Sequence, residues 1–132
     1  MREDLRVADI QSADEMEHIL ARLQGKQIAS LQVLGINSLK SVTPAVGDLV
    51  GLGVTKTHVA DREVTITTSQ FEVVIDLQRT GRLVWLEFAE PYQLGHGPTP
   101  TARLLVSDGT GVDLTEPAKT KRITVSLTDR AK

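Results

Sequence analysis

The residue types able to do chemistry in this 132-residue chain are three histidines, its carboxylates, and 15 lysines and arginines; there is no cysteine. Glu15 and His18 form an E-x-x-H pair, which puts both on one helix face. A di-metal carboxylate centre takes that motif from two helices together with two further glutamates, and the sequence holds no second copy. A solvated helix face is the simpler account. His58 falls in a strand-like stretch without metal-ligand spacing, and His96 stands alone in a Gly/Pro loop. Gly51 to Lys56 (GLGVTK) has too few glycines, wrongly spaced, for a phosphate loop, and no G-x-S-x-G elbow appears. Neither a metal nor a cofactor is expected. What remains is a basic turn, Arg79-Thr80-Gly81-Arg82, inside Asp76 to Phe88 (DLQRTGRLVWLEF). It reads as a hairpin tip with two arginines beside a glycine, either a solvated turn or a probe aimed at an anion.

Bulk properties narrow the classes. The length is that of one domain, expected to span residues 1–132, and it is enough to bury a core without disulfide or metal staples. No apolar run approaches the roughly 18 residues of a membrane span, and the N-terminus lacks the basic-then-apolar pattern of a secretory signal. A soluble, cytoplasmic protein is expected, with no membrane partner. Net charge is −2, which gives no global attraction for nucleic acid, and aromatics make up 3%, too few to stack many bases. The charge is uneven, however. Glu3, Asp4, Asp9, Asp14, Glu15 and Glu17 make the start acidic, while Lys119, Lys121, Arg122, Arg130 and Lys132 make the end basic.

The elements that must position these residues are mostly strands. Ser12 to Gln24 is an amphipathic helix: Ser12 and Glu15 form an S-x-x-E capping box, Met16, Ile19, Leu20 and Leu23 make one apolar stripe, and Gly25 ends it. Thr43-Pro44 opens a short second helix over Ala45 to Val50. Strands are expected at Ile28–Leu34, Val54–Val59, Glu63–Thr68, Phe71–Leu77, Leu83–Phe88, Ala102–Ser107, Val112–Leu114 and Ile123–Leu127, several alternating cleanly. Asp61-Arg62, Ser69-Gln70, Thr80-Gly81 and Asp108-Gly109 punctuate them, and Glu90 to Thr101 is one long Gly/Pro-rich loop. The expected fold is mainly β with two helices (α+β): an eight-stranded β-sandwich with a helix packed at its end.

This order of elements resembles the N-terminal domain of the formamidopyrimidine-DNA glycosylase / endonuclease VIII family. DLQRTGRLVWL is similar to that family's H-L-x-M-[ST]-G-x-L segment, with Leu77, Thr80, Gly81 and Leu83 in register. Ala102 to Ile123 resembles its H-x-R-x-x-L-x-x-x-D-G-x-x-L-x-x-x-D-P-R-R-F-G stretch through Arg103, Leu105, Asp108, Gly109, Leu114 and Pro117. Ile19 to Val33 (ILARLQGKQIASLQV) resembles the end of the first helix and the G-[RK]-x-I entry into the first strand. The resemblance implies a helix-plus-sandwich domain, the half that supplies the catalytic groups; a helical module, usually with a zinc finger, supplies much of the DNA grip.

Departures from the family pattern set the functional expectation. The family's nucleophile is an N-terminal proline followed by glutamate, whose amine attacks the sugar carbon. Here the order is Met1-Arg2-Glu3, so Glu3 is the only catalytic candidate, and only if activity remains. The family's G-K-Y lysine falls near Ala60-Asp61-Arg62, and Asp76 and Arg79 replace its histidine and void-filling methionine. The second arginine of D-P-R-R corresponds to Lys119. The chain is expected to be a stand-alone, catalytically inactive relative that binds DNA or a partner through Arg79, Arg82, Arg103, Lys119, Lys121 and Arg122. Two alternatives stand beside it. One is a subunit pairing with a separate protein, or with itself, that exposes an apolar patch near the long loop and the C-terminal strand. The other is an active glycosylase with a non-proline nucleophile.

Overall fold

The computed structural model describes residues 11–35, 38–39, 46–93, 95, 99–116 and 122–129, so Glu3, Lys119 and Lys121 lie outside them. Ser12 caps helix α1 (Ala13–Ala21) by accepting the Glu15 N–H at 3.1 Å. The other half of the capping box takes a different form, because the Glu15 carboxylate accepts from the Gln11 side chain at 3.2 Å. The α-helix ends earlier than its apolar stripe. From Ala21 to Gln24 the turn tightens into three-residue bonds, such as Leu23 N to Leu20 O at 2.9 Å, before Gly25 takes φ +84°. The expected second helix is a single 3-10 turn, Val46–Leu49, ended by Gly51 at φ +88°; Thr43 and Pro44 lie outside the described residues. Gly47 in its middle weakens any longer helix.

All eight expected strands form: β1 (Ile28–Val33), β2 (Val54–Ala60), β3 (Glu63–Thr68), β4 (Phe71–Asp76), β5 (Arg82–Leu86), β6 (Ala102–Val106), β7 (Gly111–Thr115) and β8 (Thr124–Asp129). They make two antiparallel four-stranded sheets, ordered β1-β6-β7-β5 and β2-β3-β4-β8. Period-2 alternation turns Val64, Ile66, Val73, Ile75, Val125 and Leu127 of one sheet toward Leu31, Leu83, Leu104, Val112 and Leu114 of the other. Met16, Leu20 and Leu23 of α1 complete the core. A void of about 10 Å³ with a wholly apolar lining lies between the layers, beside Leu20 and Leu83.

One expectation is overturned. The Asp76 to Phe88 stretch is not a β-hairpin, because β4 and β5 belong to different sheets. A strand, a short turn and a second strand produce the same local pattern whether the chain folds back in one sheet or crosses to the other. Here Leu77 and Leu83, buried at either end of the turn, drop into the core between the sheets. The β7–β8 connection also crosses. The two crossings pack together, with Gly81 against the side chain of Ile123.

Candidate nucleic-acid interface

The β4–β5 corner is built by local polar contacts first. Asp76 Oδ1 accepts the Gln78 N–H at 2.9 Å, an Asx turn that steadies Gln78 at φ +58°. Gly81 N–H donates to Leu77 O at 3.0 Å. A Cβ at Gly81 would lie 2.5 Å from that oxygen and 2.9 Å from Ile123 Cδ1, so the close approach requires glycine.

Two side chains from elsewhere fasten the corner, and neither stood out in the sequence. Arg62, in the β2–β3 turn, donates from Nε to Gln78 O at 2.8 Å, from Nη1 to Gln11 O at 2.8 Å, and from Nη2 to Gly81 O. Burial holds its guanidinium below the ordinary pKa, and the neighbouring charge of Arg82 adds to this while Asp76 opposes it. Gln11, itself buried, accepts the Leu83 N–H at 2.7 Å and donates to Leu83 O at 2.8 Å, completing the free edge of β5 as another strand would. Across the corner, the buried Glu116 carboxylate accepts the N–H groups of Arg122 and Ile123 at 2.7 and 3.1 Å. That fixes both ends of the second crossing.

The corner brings three of the candidate cations together and leaves a fourth elsewhere. Arg79 and Arg122 are exposed, with no ion pair among the described residues. Arg82, at the start of β5, lies 3.9 Å from the Glu15 carboxylate, the long limit of an ion pair. Arg103 sits on the outer face of the first sheet and is already engaged. Its Nε and Nη2 meet both oxygens of buried Asp113 at 2.6 and 2.9 Å, and Nη1 donates to Glu90 O at 2.9 Å. The hydrogen bonds to Asp113 raise its pKa above the ordinary value, so Arg103 is a charge already answered within the fold.

Beyond the far end of β5 lies a groove of about 220 Å³, lined by Phe88, Glu90, Pro91, Tyr92, Gln93 and Arg103. Phe88 is 96% exposed, whereas Trp85 is packed beneath Arg22 and Lys26, whose charges stand 4.1 and 5.3 Å from its ring centroid. No group of three or more metal-ligating side chains occurs among the described residues, and none of their helices is long and apolar enough to cross a membrane.

No protein-family model and no curated protein matches the sequence. Solved structures do match. A complex of the Lactococcus lactis Fpg protein with THF-DNA and an inhibitor aligns with TM-score 0.69 and 11% identity, covering 86% of this chain and 40% of that one. The wild-type L. lactis Fpg (MutM) with N7-benzyl-Fapy-dG DNA aligns at TM-score 0.68, with the same identity and coverage. The L. lactis Fpg complex with abasic-site DNA aligns at 0.67, again at 11% identity over 86% and 40% of the two chains. This chain therefore spans less than half the length of those proteins. Its two sheets and flanking helix have the fold of the N-terminal domain of the Fpg DNA glycosylases.

Proposed function

We propose that this chain is a DNA-glycosylase-like module related to base-excision repair, which holds DNA at the double-crossing corner and does not run imine chemistry. The observation that carries the proposal is the pair of exposed guanidinium-bearing residues, Arg79 and Arg122, which have no ion pair among the described residues and stand beside Arg82. They lie on a fold whose solved neighbours are complexes with THF-, Fapy-dG- and abasic-site DNA. Arginine at an exposed corner meets phosphate oxygens in a bidentate fork and positions a backbone without reading its sequence. Arg62 supports the absence of imine chemistry. It belongs to the Ala60-Asp61-Arg62 stretch near which the resemblance puts the family's lysine, and each of its three nitrogens donates to a carbonyl of the fold. Borohydride trapping on an abasic duplex is expected to give no adduct; a covalent adduct would support the active-glycosylase reading, with Glu3 as its acid or base. The expected contacts at Lys119 and Lys121 fall outside the described residues and form no part of this proposal.

A second reading, a protein-interaction module, is favoured by a separate observation: Val84 of β5 and Phe88, just before the long loop, are exposed. They lie on the loop side of the patch expected near the long loop and the C-terminal strand, and not on the sheet that holds β8. The two readings use opposite ends of β5 and are compatible in one molecule.

A further inference from the structure

We infer that the groove at Phe88–Gln93 docks a segment of a partner protein that presents one large apolar side chain next to a lysine or arginine. This gives the second reading above its partner chemistry, and it stands or falls separately from the DNA contact.

The groove is built in advance of any occupant. Gln32 accepts the Tyr92 N–H at 2.7 Å and donates back to Tyr92 O at 3.5 Å, and the Tyr92 hydroxyl meets Thr99 Oγ1 at 2.9 Å. Arg103 ties Glu90 O to the Asp113 pair, and its guanidinium lies 5.6 Å from the Tyr92 ring centroid. Loop backbone that would otherwise sample many conformations is thereby held against the sheet, which lowers the ordering cost of binding.

Size and charge select the occupant. About 220 Å³ is below the roughly 300–1,000 Å³ of pockets that enclose cofactor-sized ligands, and suits one large side chain. The rim offers Phe88 and Pro91 as apolar surface within a lining that is more polar than apolar overall, and aromatic side chains are enriched at protein interfaces. Arg103 is neutralised by Asp113, while the exposed Glu90 carboxylate has no partner among the described residues. Among the described residues, the uncompensated charge at the groove is therefore negative. It attracts a basic residue beside the anchor and repels phosphate, which favours a protein segment over a nucleic acid.

The test titrates the ¹⁵N-labelled full chain with two capped tetrapeptides, acetyl-Gly-Leu-Arg-Gly-amide and acetyl-Gly-Leu-Glu-Gly-amide, at millimolar concentration. The first is expected to shift the amide signals of Phe88 to Gln93 and the Arg103 Nε signal, and to bind about threefold tighter than the second. Phe88→Ala, an exposed site, should weaken binding about tenfold with the rest of the spectrum unchanged. Glu90→Lys should reverse the preference between peptides. Absent groove shifts, equal response to both peptides, or groove shifts produced instead by an oligothymidine would each overturn the inference. Duplex binding by these variants, read in parallel, reports only on the corner.

Discussion

The two ends of β5 handle positive charge in opposite ways. At its start, Arg79 and Arg122 stand exposed where the chain crosses twice between sheets, with no ion pair among the described residues, next to Arg82, which pairs with Glu15 at 3.9 Å. On the groove side, Arg103 is locked bidentate onto Asp113. Arg103 lies level with Val84 in the register, two strands in from β5, and reaches the groove from there. A cation available to a ligand differs from one already answered by the fold, and residue type does not distinguish the two. What differs is the origin of the neighbours. Arg103 and Asp113 face each other in the β6–β7 register, so strand pairing itself delivers the carboxylate. Arg79 and Arg122 sit on connections outside the strands, where no register brings an acid opposite.

Arg62 gives the largest effect expected in separating these ends. Arg62→Ala leaves the carbonyls of Gln11, Gln78 and Gly81 without their donors, and should cost about 2–3 kcal/mol in urea unfolding. Duplex affinity should fall as the corner loosens, while peptide binding at the groove persists; equal loss at both ends would mean that the ends are not independent. Gly81→Ala should cost about 1–3 kcal/mol, since its Cβ meets backbone at Leu77 and the side chain of Ile123. An unchanged urea midpoint would show that the two crossings are less tightly packed than described. By contrast, Phe88→Ala should change stability by no more than about 0.5 kcal/mol, because that side chain is nearly all in water.

The smallest effect concerns Asp108, at the β6–β7 turn. Hydrogen bonds from Thr110 and Lys26 lower its carboxyl pKa from 3.8 to about 2. A depressed folded-state pKa stabilises the protein above the unfolded value, and that contribution is lost as pH falls through the folded one. The stability difference between the protein and Asp108→Asn should therefore be constant above pH 3.8 and vanish as pH falls toward about 2. A carboxyl titration midpoint near 3.8 would contradict it.

Much of the scaffold was legible in the sequence because it rests on local periodicity. Val64/Ile66 and Val125/Leu127 alternate toward the core as read, and Ser12 caps its helix. The order of elements also carried the resemblance to the glycosylase N-terminal domain, whose fold the chain has. What sequence spacing did not carry was long-range partnering. Local pattern cannot say that β4 and β5 enter different sheets, because the choice is made by β8 and β7 taking the pairing positions beside them. Nor does it show Gln11 reaching Leu83 or Arg62 reaching three carbonyls. Arg103 was grouped with the other candidate cations because Asp113, ten residues on, becomes its neighbour only once β6 pairs with β7.

The most direct test of the corner as a DNA contact is the salt dependence of binding to an abasic-analogue duplex, followed by fluorescence anisotropy with the full chain. Three phosphate contacts, from Arg79, Arg82 and Arg122, predict a log–log slope of about −2.7, or affinity falling roughly 40-fold between about 50 and 200 mM salt. The double substitution Arg79→Ala, Arg122→Ala should flatten that slope by about two contacts without changing the urea midpoint. No binding at about 50 mM salt, or a slope unaltered by the double substitution, would contradict the account.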